Sequence, residues 1–203
     1  MAASGRLRKE LLECSKSEES SGITVQPTTP GNNFELRATI VGPAASVFEG
    51  GLFVLAIAVS SEYPFEPPKV KFLTKVWHPN VSSQTGAICL DILKDAWTPA
   101  MSLHTTLLSI SALLTAAEPS DPQDAVVAKQ YIDDRSLYDQ TAKYWTEMYA
   151  APASAASPML SAEDEVKVSA LCDMGFPAPA VRAALRKCGG AQDSALELLL
   201  SGG

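Results

Sequence analysis

An α+β fold with a small helical bundle appended is what this 203-residue chain predicts. Short strand-like runs lie between residues 23 and 73, one of them alternating apolar with polar residues, whereas after Ser102 the apolar residues recur at helical spacing. The strand-like runs follow one another across short turns, which favours an antiparallel meander over a parallel sheet. From residue 150 the composition shifts to AAPASAASP, small and proline-punctuated, before helical spacing returns. The expected division is a larger unit over 1–150, a linker over 151–160 and a three-helix unit over 161–203.

Each element has a local reason. Leu7, Leu11 and Cys14 stand at i, i+4 and i+7 on one face of an N-terminal helix, while Arg6, Arg8 and Lys9 fall largely elsewhere. The polar SEESSG after it reads as a connector. ITVQP, FELRATIV and LFVLAIAV read as strands, the second alternating as a half-buried strand does, with Gly42-Pro43 and Gly50-Gly51 as turns. In YPFEPP the prolines lack backbone donors and hold an extended loop, and KVKFL follows as the fourth strand.

Ser102 is placed to cap a central, well-covered helix whose stripe is Leu103, Leu107, Ile110 and Leu114. Another helix is expected from Gln123 to Tyr131, and a last one with Tyr138, Ala142, Trp145 and Tyr149 in a single row. In the small unit the helical patterns run from Val166 to Met174, through Val181, Ala184, Leu185 and Cys188, and from Ala195 to Leu200. Gly175 and Gly189-Gly190 mark the stops. A bundle of this size is near the lower limit for independent folding.

The totals exclude several classes of function. With 46% hydrophobic and 19% charged residues the chain has ample material for a globular core. A net charge of −7 argues against broad nucleic-acid binding, which draws its affinity from cations displacing counterions along phosphates. No apolar run approaches the roughly 18 residues a membrane span needs, and the N-terminus does not read as a secretory leader. Cys14, Cys89, Cys172 and Cys188 form no CxxC pair, as a structural zinc site or redox dithiol would. Free thiols in a reducing compartment are expected, hence a cytoplasmic or nuclear protein without metal.

The chemistry concentrates in HPNVSSQTGAICLDIL at residues 78–93. A cysteine thiolate can take an acyl group as a thioester, a bond reactive enough toward amines to pass the group on. The tetrahedral intermediate needs a hydrogen-bond donor, and Asn80 lies nine positions before Cys89 across a flexible SSQTG segment that can bring the two together. Taken alone, Cys89 in an AICLDIL run is more often a buried small hydrophobe. A cysteine-protease arrangement fits poorly, because only a proline separates His78 from Asn80 and the asparagine cannot easily orient that imidazole. Zinc fits less well still, with one histidine and one cysteine in reach.

HPN, GAICLDIL, Trp97 followed by TPA, and YPFEPPKV upstream resemble the signature of ubiquitin-conjugating enzymes over roughly residues 5–149. The second unit, with ALCDMGF and a terminal ALELLL, resembles the ubiquitin-associated (UBA) fold that some members of that family carry. The resemblance implies the ubiquitin-conjugating (UBC) fold and an acyl carrier. It takes ubiquitin's C-terminus from an activating enzyme and delivers it to a lysine amine, with ATP consumed by the activating enzyme and no cofactor of its own. It implies Cys89 as nucleophile, Asn80 as oxyanion stabiliser or as the residue fixing the facing loop, and Asp121 in EPSDPQD beside the incoming lysine. His78 is implied to be structural, and the surrounding matches move Cys89 from hydrophobe to nucleophile.

Partner surfaces carry over likewise. RING-type or HECT-type ligases would grip Pro64, Phe65, Pro99 and Ala100, unless Phe65 packs onto the sheet. Arg6, Arg8 and Lys9 would steer the activating enzyme, or simply decorate a solvated helix. Met174, Gly175, Phe176, Leu198 and Leu199 would form the ubiquitin-binding patch of the small unit, Phe176 being the residue most readily claimed by the core. A tethered weak binder raises the local concentration of ubiquitin, which favours chains over single attachment. The resemblance points to degradation-type chains and a monomer. A non-catalytic ubiquitin-binding adaptor and a carrier of another ubiquitin-like modifier are the rivals. Retention of Cys89, Asn80 and Asp121 opposes the first, and the UBA-like unit opposes the second.

Overall fold

In the computed structural model the described residues are 2–151 together with Lys167, Val168, Leu171, Phe176, Val181, Leu185, Gln192 and Leu196. The chain divides into two compact units, Met1–Ala151 and Pro152–Gly203. The first runs α1 (Ala2–Ser21), β1 (Ile23–Thr29), β2 (Asn32–Val41), β3 (Leu52–Ala58) and β4 (Lys69–Phe72). A 3₁₀ turn (Asp91–Leu93), α2 (Leu103–Thr115), α3 (Ala125–Asp133) and α4 (Arg135–Tyr149) complete it. The strands form one antiparallel meander in the order β1-β2-β3-β4, as local turns dictate.

Alternation in β2 buries Leu36, Ala38 and Ile40 and exposes Glu35 and Arg37. Ala38 sits opposite Val25 of β1 and Leu55 of β3, so the small residue lies at the middle of the sheet. Leu36, Ile40, Phe53, Leu55 and Ile57 form one core with Leu7 and Cys14 of α1 and with Leu107, Ile110 and Leu114 of α2. Each such leucine or isoleucine contributes about 1.5–3 kcal/mol relative to exposure. α2 starts where expected, with Ser102 and Thr105 forming a reciprocal capping box. It is not covered on every side, since Leu108 is exposed.

Three expectations need correction. SEESS is not a connector but the end of α1: the hydroxyls of Ser17, Ser20 and Ser21 bond back to helix carbonyls, and the helix stops only at Gly22, whose φ of 65° suits a residue without Cβ. α3 begins at Ala125 rather than Gln123, because Gln123 and Asp124 N–H groups both donate to the Pro79 carbonyl and Asp124 caps the helix instead. On α4 the buried stripe is Tyr138, Ala142 and Thr146. Trp145 and Tyr149 lie at its edge, where Trp145 packs 4.9 Å from the Trp77 ring and Tyr149 lies under the Lys75 ammonium.

In the second unit Lys167, Val168, Leu171, Val181, Leu185, Gln192 and Leu196 are helical, with Gln192 already helical ahead of Ala195. Val168, Leu171, Val181 and Leu185 are buried. Phe176 is half-buried outside a helix and donates its N–H to Leu171 O at 3.4 Å. Met174, Gly175, Leu198 and Leu199, and the expected linker beyond Ala151, lie outside the described residues. Among the described residues no helix is long and apolar enough to cross a membrane, and no group of three or more His, Cys, Asp or Glu is placed to hold a metal ion.

Candidate active site

The polypeptide between β4 and the 3₁₀ turn folds into a small irregular hairpin because its residues satisfy one another. Val81 bridges both His78 and Ile88, Ser82 N–H donates to Ala87 O, and Cys89 N–H donates to Asn80 O at 2.8 Å. Gly86 makes the turn with φ 73°, and a Cβ there would lie 1.9 Å from the Phe72 carbonyl oxygen. Phe72 N–H in turn donates to Gly86 O, which fastens the hairpin along the open edge of β4.

His78 is fully buried. Its Nδ1 accepts the Asn80 N–H at 3.0 Å. Burial, opposed weakly by the Leu113 backbone, pushes its pKa down to about 4. The imidazole is therefore neutral at physiological pH and its lone pair is occupied, which suits a backbone support and not a general base. Among the described residues its Nε2 atom has no partner of hydrogen-bond geometry.

The Asn80 side chain is wholly committed. Its Oδ1 accepts from Glu118 N–H at 2.8 Å, and its Nδ2 donates to Glu118 O at 2.8 Å and Asp121 O at 2.9 Å. Both amide hydrogens are used, so no donor is left over for an oxyanion without breaking one of these bonds. Of the two roles expected for Asn80, the geometry supports fixing the facing loop. That loop carries Asp121, which is exposed and whose Oδ2 lies 3.5 Å from the Cys89 sulfur. Cys89 itself is half-buried.

Sequence reasoning missed three residues here. Lys94 reaches back from beyond the 3₁₀ turn and places Nζ 3.6 Å from the Cys89 sulfur, so a cation and an anion flank the thiol. Only its position in the same CLDILK run hinted at this. Asp124 holds the hairpin by accepting from Ser83 N–H and Oγ, while its other oxygen caps α3. Burial works to raise its pKa, but these donors prevail and hold it below the usual carboxylate value. An acidic residue just before AVVA was a legible cap signal. Glu10 is a buried carboxylate on α1 that accepts from Arg6 Nε at 2.7 Å, Tyr63 Oη at 2.7 Å and Leu103 N–H at 2.8 Å. Its i,i+4 spacing from Arg6 is local, but Tyr63 and Leu103 are distant in sequence, so nothing in the chain marked it as the centre of a buried network.

The same network orders the expected ligase surface. Trp97 Nε1 donates to Pro64 O at 2.7 Å and its ring lies 5.8 Å from that of Tyr63, joining the two loops. Burial and the Glu10 carboxylate raise the Tyr63 pKa above its ordinary range. Phe65 is 78% exposed, so it does not pack onto the sheet; Pro99 and Ala100 are exposed and Pro64 is half-buried. Arg8 and Lys9 are exposed, whereas Arg6 turns its guanidinium to Glu10 and the Met101 carbonyl and stacks over Tyr63. Arg6 is thus a tie between α1 and these loops more than an outward cation.

A half-buried thiol within 3.6 Å of a carboxylate and an ammonium, with no histidine paired to it among the described residues, has the features of a cysteine acyl carrier. The family model described as ubiquitin-conjugating enzyme matches residues 6–146, and that described as UBA/TS-N domain matches 163–199. Ubiquitin-conjugating enzyme E2 27 of Arabidopsis thaliana is 50% identical over 196 residues, spanning 97% of each chain. Human ubiquitin-conjugating enzyme E2 K is 50% identical over 197 residues, spanning 97% of this chain and 96% of that one. Among solved structures, the E2 domain of a Toxoplasma gondii ubiquitin-conjugating enzyme matches with a TM-score of 0.67 at 50% identity, covering 72% of this chain and 98% of its own. The chain belongs to the ubiquitin-conjugating enzyme family, in the branch with a C-terminal UBA domain.

Proposed function

We propose that this enzyme accepts ubiquitin's C-terminal carboxyl as a thioester on Cys89 and passes it to lysine amines, assembling degradation-type polyubiquitin chains. One observation carries the reading: the half-exposed Cys89 sulfur lies 3.5 Å from Asp121, on a loop that Asn80 holds by three hydrogen bonds.

In the first step the Cys89 thiolate attacks the carbonyl of a ubiquitin thioester on the activating enzyme. A new C–S bond forms, the old one breaks, and the donor cysteine leaves as thiolate. In the second, an uncharged lysine amine attacks the same carbonyl. The C–N bond forms, Cys89 leaves as thiolate, and the surplus amine proton passes to the Asp121 carboxylate and on to water. An acceptor lysine, with an ordinary pKa of about 10.4, is almost wholly protonated at neutral pH. A carboxylate alone would raise that pKa, so desolvation in the complex lowers it while Asp121 aligns the amine and takes the proton. The Lys94 ammonium offsets the negative charge that develops on the departing sulfur.

The same proposal includes a monomeric protein of cytoplasm and nucleus that needs no metal or cofactor, with ATP consumed by the activating enzyme. RING-type or HECT-type ligases engage Phe65 and Pro99, and the UBA domain holds ubiquitin near the site at raised effective concentration. The test is incubation with activating enzyme, ATP and ubiquitin. A thiol-sensitive adduct is expected on wild type and a thiol-resistant oxyester on Cys89→Ser. Charging mapped to another residue, or none, overturns the proposal. Asp121→Ala is expected to slow discharge to lysine while sparing thioester formation.

A further inference from the structure

Beside Cys89 runs an open groove of about 560 Å³ whose floor includes Val70, Ile88 and Leu93 and whose rim carries Lys69, Lys71 and Lys94. In a chain of net charge −7 this concentration of cations at the nucleophile is an outlier. Lys69 and Lys71 are both exposed, alternate with Val70 on β4, and form no ion pair or side-chain hydrogen bond among the described residues. The only carboxylate on the rim, Glu66, accepts from the Ser60 hydroxyl within its own loop. Lysines on an edge strand often serve to block edge-to-edge pairing. Here Lys71 already bridges Ala87 and Phe72 N–H already donates to Gly86 O, so the active-site hairpin covers the Lys71–Phe72 half of that edge, where protection does not require a charge.

We infer that this groove seats an acidic segment of the acceptor protein that flanks the target lysine, Lys69 and Lys71 being specificity-determining residues for the transfer. The inference rests on Cys89 being the carrier. The geometry sets the reach. Ala87, the partner of Lys71, is two residues from Cys89, about 7 Å along the chain, and the strands are about 5 Å apart. Lys69 lies about 7 Å further along β4. An extended acceptor at about 3.3 Å per residue therefore brings carboxylates to these cations when they stand about two to five residues from its lysine. The apolar floor takes the side chains between, and partial desolvation there strengthens each charge pair.

The test is single-turnover discharge of wild-type enzyme, charged with ubiquitin, onto two peptides that each hold one lysine. One has glutamates and the other glutamines from about two to five residues away on both sides. The acidic peptide is expected to reach half-maximal discharge at about threefold to tenfold lower concentration, an advantage that disappears in about 0.5 M salt. Lys69→Gln with Lys71→Gln abolishes the advantage, and Lys143→Gln, on an exposed face of α4, keeps it. Titrating the acidic peptide into uncharged enzyme is expected to shift the amide resonances of Lys69, Lys71 and Ala87, a readout independent of the variants. Equal discharge onto both peptides, an advantage that survives in the double variant, or unshifted resonances overturns the inference while leaving the carrier reading intact. Failure of Cys89 to charge overturns both.

Discussion

Stability of the catalytic unit should depend on pH through His78 in a way that one substitution removes. The folded imidazole has its pKa lowered from 6.5 to about 4 by burial, whereas in the unfolded chain it titrates near the ordinary value. Above pH 6.5 both states are neutral and His78 contributes no slope. Between about 6.5 and 4 the unfolded chain binds a proton that the folded protein refuses, so stability falls as pH falls, by about 1.4 kcal/mol per pH unit and about 3 kcal/mol in all. That is a large part of the 5–15 kcal/mol typical of a domain. His78→Gln keeps an acceptor for the Asn80 N–H and loses the titration. Urea unfolding at pH 7.5 and 4.5 can be followed by tryptophan fluorescence, since Trp77, Trp97 and Trp145 all lie in the first unit. The two proteins differ only at residue 78, so wild type should lose about 2–3 kcal/mol more than the variant between these pH values. Parallel profiles would show that His78 does not resist protonation and would refute the reasoning.

Four further outcomes follow from the same geometry. Asn80→Asp keeps the acceptor for Glu118 N–H but sets a carboxylate against two carbonyls; faster amide exchange over 118–121 should accompany a tenfold or greater loss of discharge, on the order of 1.4 kcal/mol or more. Lost discharge with unchanged exchange would restore the oxyanion role. Gly86→Ala should destabilise by at least about 2 kcal/mol in thermal unfolding, because φ 73° disfavours a side chain and its Cβ meets the Phe72 carbonyl. Glu10→Ala should cost roughly 3 kcal/mol and weaken ligase binding measured by calorimetry, since it strands the Tyr63 hydroxyl and the Leu103 N–H. Cys14, buried and pushed up to about 11 by that burial and by the Glu10 and Glu13 carboxylates, should resist iodoacetamide at pH 8 while Cys89 is alkylated, as peptide mass spectrometry would read.

Much of the architecture was legible because it is local. The period-two run of β2, the Ser102 cap and the row from Leu103 to Leu114 each carry their own physical reason within a few residues. SEESS misled because serines suit connectors, and only the hydroxyl-to-carbonyl bonds and the delayed stop at Gly22 show that the helix tolerates them. Trp145 and Tyr149 misled because spacing alone does not say which of two adjacent helical rows meets the core.

The sequence by itself determined the order of helices and strands and the presence of one cysteine in a chemically distinctive neighbourhood, since both depend on residues close together in the chain; it left the β1–β2 turn at Pro30-Gly31 unmarked, and its two glycine turns both fall in the β2–β3 connection. Tertiary structure decided what each candidate does. It spent both Asn80 hydrogens on the loop of Asp121 and drew Arg6 into the Glu10 network. It also brought an Asp121 oxygen to 3.5 Å and the Lys94 ammonium to 3.6 Å from one sulfur. Hydrogen-bond capacity and electrostatic field are set by neighbours in space, and those neighbours come from segments that only the folded backbone brings within a few ångströms.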